Sequence, residues 1–421
     1  MDNYFCVGID MCDDYSQVSF MKNGMEEPES VDFTGLEFKY RIPTVVGKTL
    51  GKDEWYAGDE ALKGEKLGET CVVRNLFRLS LDKNPVVVDD VTVMPIELIS
   101  KYLDYLIQAA RTAGNAEKVD SVCITFADYN ISMLNMAAGA LQMLGYSEDE
   151  YTFSSHDESF IYFSMSQKNE LWKNDVFLFD YTLYGMVVKR MYITGNFGQR
   201  LAMVHTDDYT NELPYDLAIN NLSSEYLDNR LSGIAAALFE KKNISTVYLT
   251  GMGFDGEFDL PAFVKCICDR KRAFAEPNLY CRGACFEAME QCGLVSLKDV
   301  MLACPNRVTT GIEMKISDRG RDKILRMVRP GVNWYFADCS YDFIVDEARE
   351  LEIFISPLDG TEKQVVRIPI GEFADRPGKT TRINMNFSFT SDSRCHLMVK
   401  DLGFGDFFAS SGIVINEELL L

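Results

Sequence analysis

The chain has 421 residues, of which 47% are hydrophobic and 25% are charged, so its composition excludes disordered, collagen-like and coiled-coil proteins. Its 42 Lys and Arg residues stand against 64 Asp and Glu residues, and the resulting formal net charge is −22. Such a charge repels phosphate backbones and anionic lipid. We therefore expect neither nucleic acid nor a membrane among its partners.

The N-terminus and the cysteines indicate a cytoplasmic protein. Residues 1–8 lack the basic and apolar regions of a secretory signal, and no apolar run is long enough to span a membrane. The twelve cysteines are scattered, and Cys6 and Cys123 lie inside apolar runs, which is typical of reduced, buried thiols. No histidine lies near the cysteines at 266–268 or 281–292, so we expect no zinc site.

The first half of the chain predicts a β-hairpin followed by alternating helices and strands. An apolar strand at 4–10 ends in Asp10, a second strand covers 16–21, and Asn23-Gly24 then predicts a turn. A helix is predicted from Pro95, a buried strand at 119–126, and a further helix after Asn130 as its N-cap.

The second half repeats this plan. A strand at 175–180 again ends in an acid, Asp180, and residues 184–193 form its predicted hairpin partner. A strand at 244–250 leads into Gly251-Met252-Gly253, and a helix begins at Pro261. Two such halves predict an internally duplicated α/β protein.

From about residue 305 the pattern is purely that of strands. Apolar and polar residues alternate at 351–355, 382–389 and 396–400, and no helical period of useful length occurs. This alternation predicts a separate antiparallel β domain.

Asp10 and Asp180 are the first candidate site residues because each ends a strand of one half. Hairpin turns can place backbone N–H groups around phosphates, and two facing acids can hold a metal-bound polyphosphate. The alternative is that both acids only cap strand ends and start turns. No GxxxxGK[ST] motif is present.

The order and spacing of the motifs over nearly the whole chain resemble the Hsp70 family, within the actin, sugar kinase and Hsp70 superfamily. The segments that carry this resemblance are 7–10 (VGID), 41–46 (RIPTVV), 57–61 (AGDEA), 122–130 (VCITFADYN), 177–180 (FLFD), 247–253 (VYLTGMG), 282–285 (RGAC), 299–303 (DVMLA), 310–313 (TGIE), 376–378 (RPG) with 382–389, and 397–401 (LMVKD).

The resemblance implies a duplicated actin-like ATPase fold at 1–298, with two lobes (about 1–170 and 171–298) around a cleft. A linker at 299–304 and a peptide-binding β-sandwich at 305–421, without a helical lid, would follow. It also implies ATP or ADP with Mg²⁺, held through water by Asp10 and Asp180, and an attacking water oriented by Asp157 or Glu158. The implied nucleotide-binding residues are Gly8, Asp10, Asp180, Gly185, Gly251, Gly253 and Gly283.

The two phosphate loops depart from the family pattern. The first reads Asp10-Met-Cys-Asp-Asp14, with acids in place of a Gly-Thr cradle, and the second carries Tyr181 and Tyr184 instead of glycines. The family's catalytic lysine falls near 74–78, where no lysine stands, and its second hairpin acid falls on Val187. Tyr181 and Tyr184 either pack at the interface of the two lobes or fill the cleft in place of a phosphate.

These departures predict an Hsp70-like protein that binds ATP weakly or is a pseudo-ATPase, with a protein or peptide partner on its C-terminal β domain. The alternatives are a kinase-like phosphotransferase of the same superfamily and an actin-like structural protein.

Overall fold

A computed structural model describes residues 4–33, 40–82, 84–196, 199–214, 223–255, 259–297, 300–346, 348–358, 362–371, 373 and 376–421. The chain divides into two compact units, Met1–Met301 and Leu302–Leu421. The first is mixed α/β and the second consists mainly of antiparallel strands. No helix of the described residues is both long and apolar enough to span a membrane.

The chain up to the start of the second sheet contains the following elements. They are β1 (Phe5–Met11), β2 (Tyr15–Lys22), β3 (Glu29–Ser30), β4 (Ile42–Pro43), β5 (Val46–Thr49), β6 (Trp55–Ala57), α1 (Gly58–Lys66), β7 (Thr70–Val73), α2 (Leu76–Asp82), β8 (Val86–Val88), β9 (Val91–Val93), α3 (Pro95–Gly114), β10 (Ser121–Phe126), α4 (Ile131–Met143), β11 (Tyr151–Ser155) and α5 (His156–Ser166).

The remaining elements up to Ala303 are β12 (Asp175–Thr182), β13 (Gly185–Asn196), β14 (Gln199–Asp208), α6 (Ser224–Phe239), β15 (Ile244–Thr250), α7 (Pro261–Cys268), β16 (Arg272–Ala275), α8 (Leu279–Gln291) and β17 (Val300–Ala303). The strands predicted at 4–10, 16–21, 119–126, 175–180, 184–193 and 244–250 and the helices predicted from Pro95, Asn130 and Pro261 are thus confirmed, within a few residues at their ends. The Asn130 side chain accepts a 3.1 Å hydrogen bond from the Met133 N–H, as an N-cap should.

The two large sheets share one plan. The first has the order β11-β10-β1-β2-β3, with β4 also on β2, and the second has the order β16-β15-β12-β13-β14-β17. In each, the central strand pairs in parallel with one neighbour and in an antiparallel hairpin with the other. Asp10 lies opposite Thr125 of β10, and Asp180 opposite Thr250 of β15, so the two acids occupy the same position in their sheets.

Helix α8 packs on β1 and β10 and against α5. This contact is close because two glycines lie in it. A Cβ on Gly8 would stand 2.2 Å from the Cys281 carbonyl oxygen, and a Cβ on Gly283 would stand 2.0 Å from the Ser159 carbonyl oxygen. Both neighbours are backbone atoms, which cannot move aside as a side chain can. Gly8 and Gly283 therefore bring β1, α5 and α8 together.

The core of the second sheet lies on the face of β12 that carries Phe177, Phe179 and Tyr181. These rings are fully buried and pack with residues of α6 and α7. Since neighbouring strand residues face opposite ways, Asp180 lies on the other face.

The second unit contains two four-stranded antiparallel sheets, with the orders β19-β18-β21-β22 and β20-β23-β24-β25. Their strands are β18 (Thr310–Asp318), β19 (Arg321–Val328), β20 (Cys339–Val345), β21 (Glu350–Pro357), β22 (Gln364–Pro369), β23 (Thr381–Ser391), β24 (Arg394–Gly403) and β25 (Val414–Leu420). The predicted strand alternation is confirmed, since Ile383, Met385 and Phe387 are fully buried between more exposed neighbours.

A buried ion pair between Arg376 and Asp401 joins two segments of the second unit. Both Nη atoms of Arg376 donate to the Asp401 carboxylate, at 2.9 and 2.8 Å. Burial alone would raise the pKa of Asp401, but Arg376 and the Ser411 and Gly403 N–H groups outweigh it and hold that pKa well below its usual value. The Arg-Pro-Gly segment thus serves to anchor β24.

We expect Gly283→Ala to lower the free energy of unfolding by about 2–3 kcal/mol, because the new methyl group meets the α5 backbone. The matched control is Gly233→Ala in α6, where a Cβ meets nothing within 4 Å. That change should raise the free energy of unfolding by about 0.5–1 kcal/mol, the usual gain of alanine over glycine in a helix. Urea denaturation measures both, and equal stability of Gly283→Ala and wild type would contradict the close packing.

Candidate functional site

Asp10 and Asp180 are joined through two stacked aromatic rings. Asp10 Oδ1 lies 2.8 Å from His156 Nε2, in a hydrogen bond. The Tyr280 hydroxyl donates to Asp180 Oδ2 at 2.7 Å. The His156 and Tyr280 rings stack with their centroids 3.7 Å apart and their planes at 12°. These four residues, the central quartet, connect the ends of the central strands of both sheets.

The two rings are positioned by helix starts. His156 is the first residue of α5, which is fixed by a capping box. In that box Ser155 Oγ accepts from the Glu158 N–H at 3.2 Å, and the Glu158 carboxylate accepts from the Ser155 N–H at 3.1 Å. Tyr280 lies in the first turn of α8. The packing of α5 against α8 therefore sets the ring stack.

The quartet is nearly closed to solvent, since none of its side chains belongs to a residue more than 7% exposed. Burial raises the pKa of Asp180, and the Tyr280 hydrogen bond and the nearby His156 and Lys189 oppose this only in part. No described residue hydrogen-bonds to Asp180 Oδ1. The quartet thus contains two buried carboxylates, of which one is bonded to an imidazole and the other to a phenol hydroxyl.

The two other predicted catalytic acids have separate partners. Asp157 accepts a 2.6 Å hydrogen bond from Lys189 Nζ of β13. Glu158 is fully buried in the capping box that starts α5. The structure thus brings Asp10, Asp157 and Asp180 into one region, whereas Glu158 holds a helix end.

The turn after β1 is held by contacts within the protein. Asp13 Oδ1 accepts from the Phe77 N–H at 3.0 Å, and Asp14 Oδ2 accepts from the Tyr184 hydroxyl at 2.8 Å. Burial raises the pKa of Asp13. Tyr184 stands in the turn after β12, so this bond joins the two turns that correspond to the predicted phosphate loops.

The glycines of the second half are also surrounded by protein. Gly251 has φ +95°, and its Cβ would stand 2.3 Å from the Tyr181 carbonyl oxygen. A Cβ on Gly253 would stand 2.2 Å from the Tyr181 ring, and one on Gly185 would stand 2.7 Å from Thr210. Tyr181 is fully buried in the core of the second sheet. It packs as a core residue, while Tyr184 is 66% exposed.

ATP or ADP with Mg²⁺ does not fit these residues as they are arranged. The space beside Gly8, Gly253 and Gly283 is filled by the protein's own atoms. The carboxylates of Asp10 and Asp180 are engaged by rings, and a nucleotide would have to displace those rings first. The acidic turn after β1 offers no cation to offset the repulsion of a phosphate.

Sequence reasoning missed four residues of this region: Cys12, His156, Lys189 and Tyr280. One signal was available, since His156 is one of only three histidines and directly precedes Asp157. Tyr280 gave no comparable signal, because the packing of α8 in the fold is what brings its hydroxyl to Asp180. Asp10, Cys12 and His156 have ligand atoms within 4.8 Å of one another, which is close enough to share a metal ion.

We expect Tyr280→Phe to lower the free energy of unfolding by about 1.5–3 kcal/mol at pH 7, because it leaves a buried carboxylate without a donor. The folded-state pKa of Asp180 is raised, so this carboxyl takes up a proton at a higher pH than an ordinary aspartate does. A neutral carboxyl loses less than a charged one when its hydrogen-bond donor is removed. The loss should therefore shrink between pH 7 and pH 4.

Tyr184→Phe is the matched control, since its hydroxyl also donates to a carboxylate but its side chain is largely exposed. It should cost less than about 1 kcal/mol, with little dependence on pH. Urea denaturation at both pH values measures the two variants. A loss for Tyr280→Phe no larger than that for Tyr184→Phe would contradict a closed quartet.

Two family models match the chain. One, described as a family of unknown function (DUF5716), C-terminal, matches residues 27–305, which include His156, Asp180 and Tyr280 but not Asp10. The other, described as a domain of unknown function (DUF8552), matches residues 307–421. No curated protein matches the chain. Because the first match covers about two thirds of the 421 residues, the chain belongs to the DUF5716 family.

Proposed function

We propose that this chain is an Hsp70-like protein that does not turn over ATP and acts by binding protein or peptide through its C-terminal β unit. Its first unit would be a duplicated actin-like ATPase fold whose nucleotide chemistry has been replaced by internal contacts. The common strand order of the two sheets and the matching positions of Asp10 and Asp180 support this fold.

The observation that carries the proposal is the central quartet. In the proposed fold, Asp10 and Asp180 are the acids that would face a metal-bound phosphate. Here His156 and Tyr280 bond to them instead and stack between them. Phosphoryl transfer depends on preorganised donors and a metal around the transferred group. Acids bonded to buried rings provide neither.

The second unit offers features suited to an extended partner. Phe407 is 93% exposed, and Phe404 and Val414 nearby in the chain are 41% and 40% exposed. The strand β25 stands last in its sheet's order, with Leu420 64% exposed. Edge strands can add a peptide strand, and exposed aromatic side chains are common binding anchors.

The negative charge of β25 and of the whole chain favours a partner with basic residues. Glu417 and Glu418 on β25 are exposed, and the whole chain is strongly acidic. An extended peptide with apolar residues and basic flanks would complement this strand. We propose such segments as the partner class. We also propose a reducing cytoplasm as the compartment, because Cys6, Cys281 and Cys285 are buried thiols outside any disulfide. The phosphotransferase and actin-like structural alternatives stay predictions of the sequence.

We expect the full chain to bind fluorescent, extended apolar peptides with basic flanks, with the same Kd in the presence and absence of ATP and Mg²⁺. Phe407→Ser should weaken binding about tenfold, which corresponds to the loss of one aromatic anchor. The matched control is Ile324→Ser on β19, in the other sheet, where the side chain is 63% exposed. Fluorescence anisotropy measures all three proteins.

Three results would contradict the proposal. The first is the absence of binding to any peptide of this class. The second is binding that Ile324→Ser weakens as much as Phe407→Ser does. The third is a Kd that ATP and Mg²⁺ change more than severalfold, since a nucleotide can shift peptide affinity only by binding two states of the protein differently.

A further inference from the structure

Three different kinds of metal ligand meet at the Asp10 end of the central quartet. The Asp10 carboxylate, the Cys12 thiol and the His156 imidazole place one ligand atom each within 4.8 Å of the others. Asp10 Oδ1 lies 2.8 Å from His156 Nε2 and 3.9 Å from Cys12 Sγ. Asp10 lies near the end of β1, Cys12 follows in the turn and His156 starts α5, so the packing of separate elements assembles the group.

These distances are close to those of a tetrahedral metal centre. Zinc bonds of about 2.0–2.3 Å to oxygen, nitrogen and sulfur separate neighbouring ligand atoms by about 3.3–3.6 Å. The two distances from Asp10 differ from this range by about 0.5 Å or less, which small side-chain rotations can supply. A mixed sulfur, nitrogen and oxygen set suits zinc and similar transition metals, whereas Mg²⁺ takes oxygen ligands.

The two buried carboxylates of the quartet favour the binding of a cation. Asp10 and Asp180 are 7% and 3% exposed. Lys189, whose charge acts on Asp180, hydrogen-bonds to Asp157. Asp180 Oδ1 is buried, and none of the residues that the structure describes hydrogen-bonds to it. Buried carboxylates are normally paired or bound to metal.

We propose that Asp10, Cys12 and His156 form a binding site for a divalent transition metal of the zinc type, with three protein ligands and a fourth position open to water. The ion takes the place of the hydrogen bond between Asp10 and His156 and offsets the negative charge of the quartet. The site goes beyond the proposed peptide binding and is independent of it, since it lies in the first unit.

Cobalt(II) tests the site, because it takes zinc-like geometry and a thiolate ligand gives it a near-ultraviolet charge-transfer band. The full chain, first freed of metal with a chelator, is titrated with Co²⁺. We expect one equivalent to bind with both the charge-transfer band and the strong visible bands of tetrahedral cobalt. One equivalent of Zn²⁺ should then remove both.

Two variants identify the ligands, and one controls for the other cysteines. Cys12→Ser should abolish the charge-transfer band and weaken Co²⁺ binding at least tenfold, and His156→Gln should weaken it at least tenfold. Cys268→Ser is the control, since that cysteine is exposed at the end of α7 and should leave the titration unchanged.

A missing charge-transfer band in the wild type, or an equal band in Cys12→Ser, would overturn the proposal. So would loss of the band in Cys268→Ser alone, which would assign the metal to an exposed thiol. If His156→Gln fails to fold, Cys12→Ser with an unchanged thermal transition decides the matter, because that substitution leaves the hydrogen bond between Asp10 and His156 in place.

Discussion

The close packing of α8 on β1 and α5 is the constraint on which the first unit depends. Gly8 and Gly283 allow backbone atoms of these elements to approach where a Cβ would stand 2.2 Å or less from a neighbour. This packing brings the first turns of α5 and α8 together, and so places His156 against Tyr280. The rings then reach one acid in each sheet. The link between the two sheets thus depends on glycine at positions 8 and 283, where any side chain would collide with backbone atoms.

The chemistry of the strand ends changes as a consequence. Two carboxylates at matching positions of two similar sheets suit a shared metal-phosphate ligand when they face an open cleft. Here they face buried rings, and the turns that would carry phosphate-binding N–H groups hold Asp13, Asp14 and Tyr184 in contacts with one another or with α2. Asp10 and Asp180 therefore belong to a buried connection between the two sheets. The proposed metal site lies at the Asp10 end of this connection.

Local signals in the sequence predicted the elements whose causes lie within a few residues. Asn130 caps α4 and Pro95 begins α3, as each residue's own hydrogen-bonding capacity dictates. The joining of Asp10 and Asp180 in one region could also be predicted, since the repeated pattern of strand and hairpin assigns them equivalent positions.

The roles of the glycines and the partners of the acids could not be predicted. A glycine before an acid fits a phosphate loop and a helix contact equally well, and only the neighbour in space decides, as Cys281 does for Gly8. His156 and Tyr280 lie 146 and 100 residues from the acids they bind, so no local pattern links them. The Tyr181 ring lies in a core to which β13, β15, α6 and α7 also contribute, and the sequence of one strand does not reveal these neighbours.

The proposed function depends most on Asp10 and Asp180 bonding to the protein's own rings and not to a nucleotide. A calorimetric titration of the full chain with ATP and Mg²⁺ tests this directly, with Asp10→Asn as the comparison. The account predicts no saturable heat for either protein. Saturable binding at one site in the wild type, lost in Asp10→Asn, would contradict it.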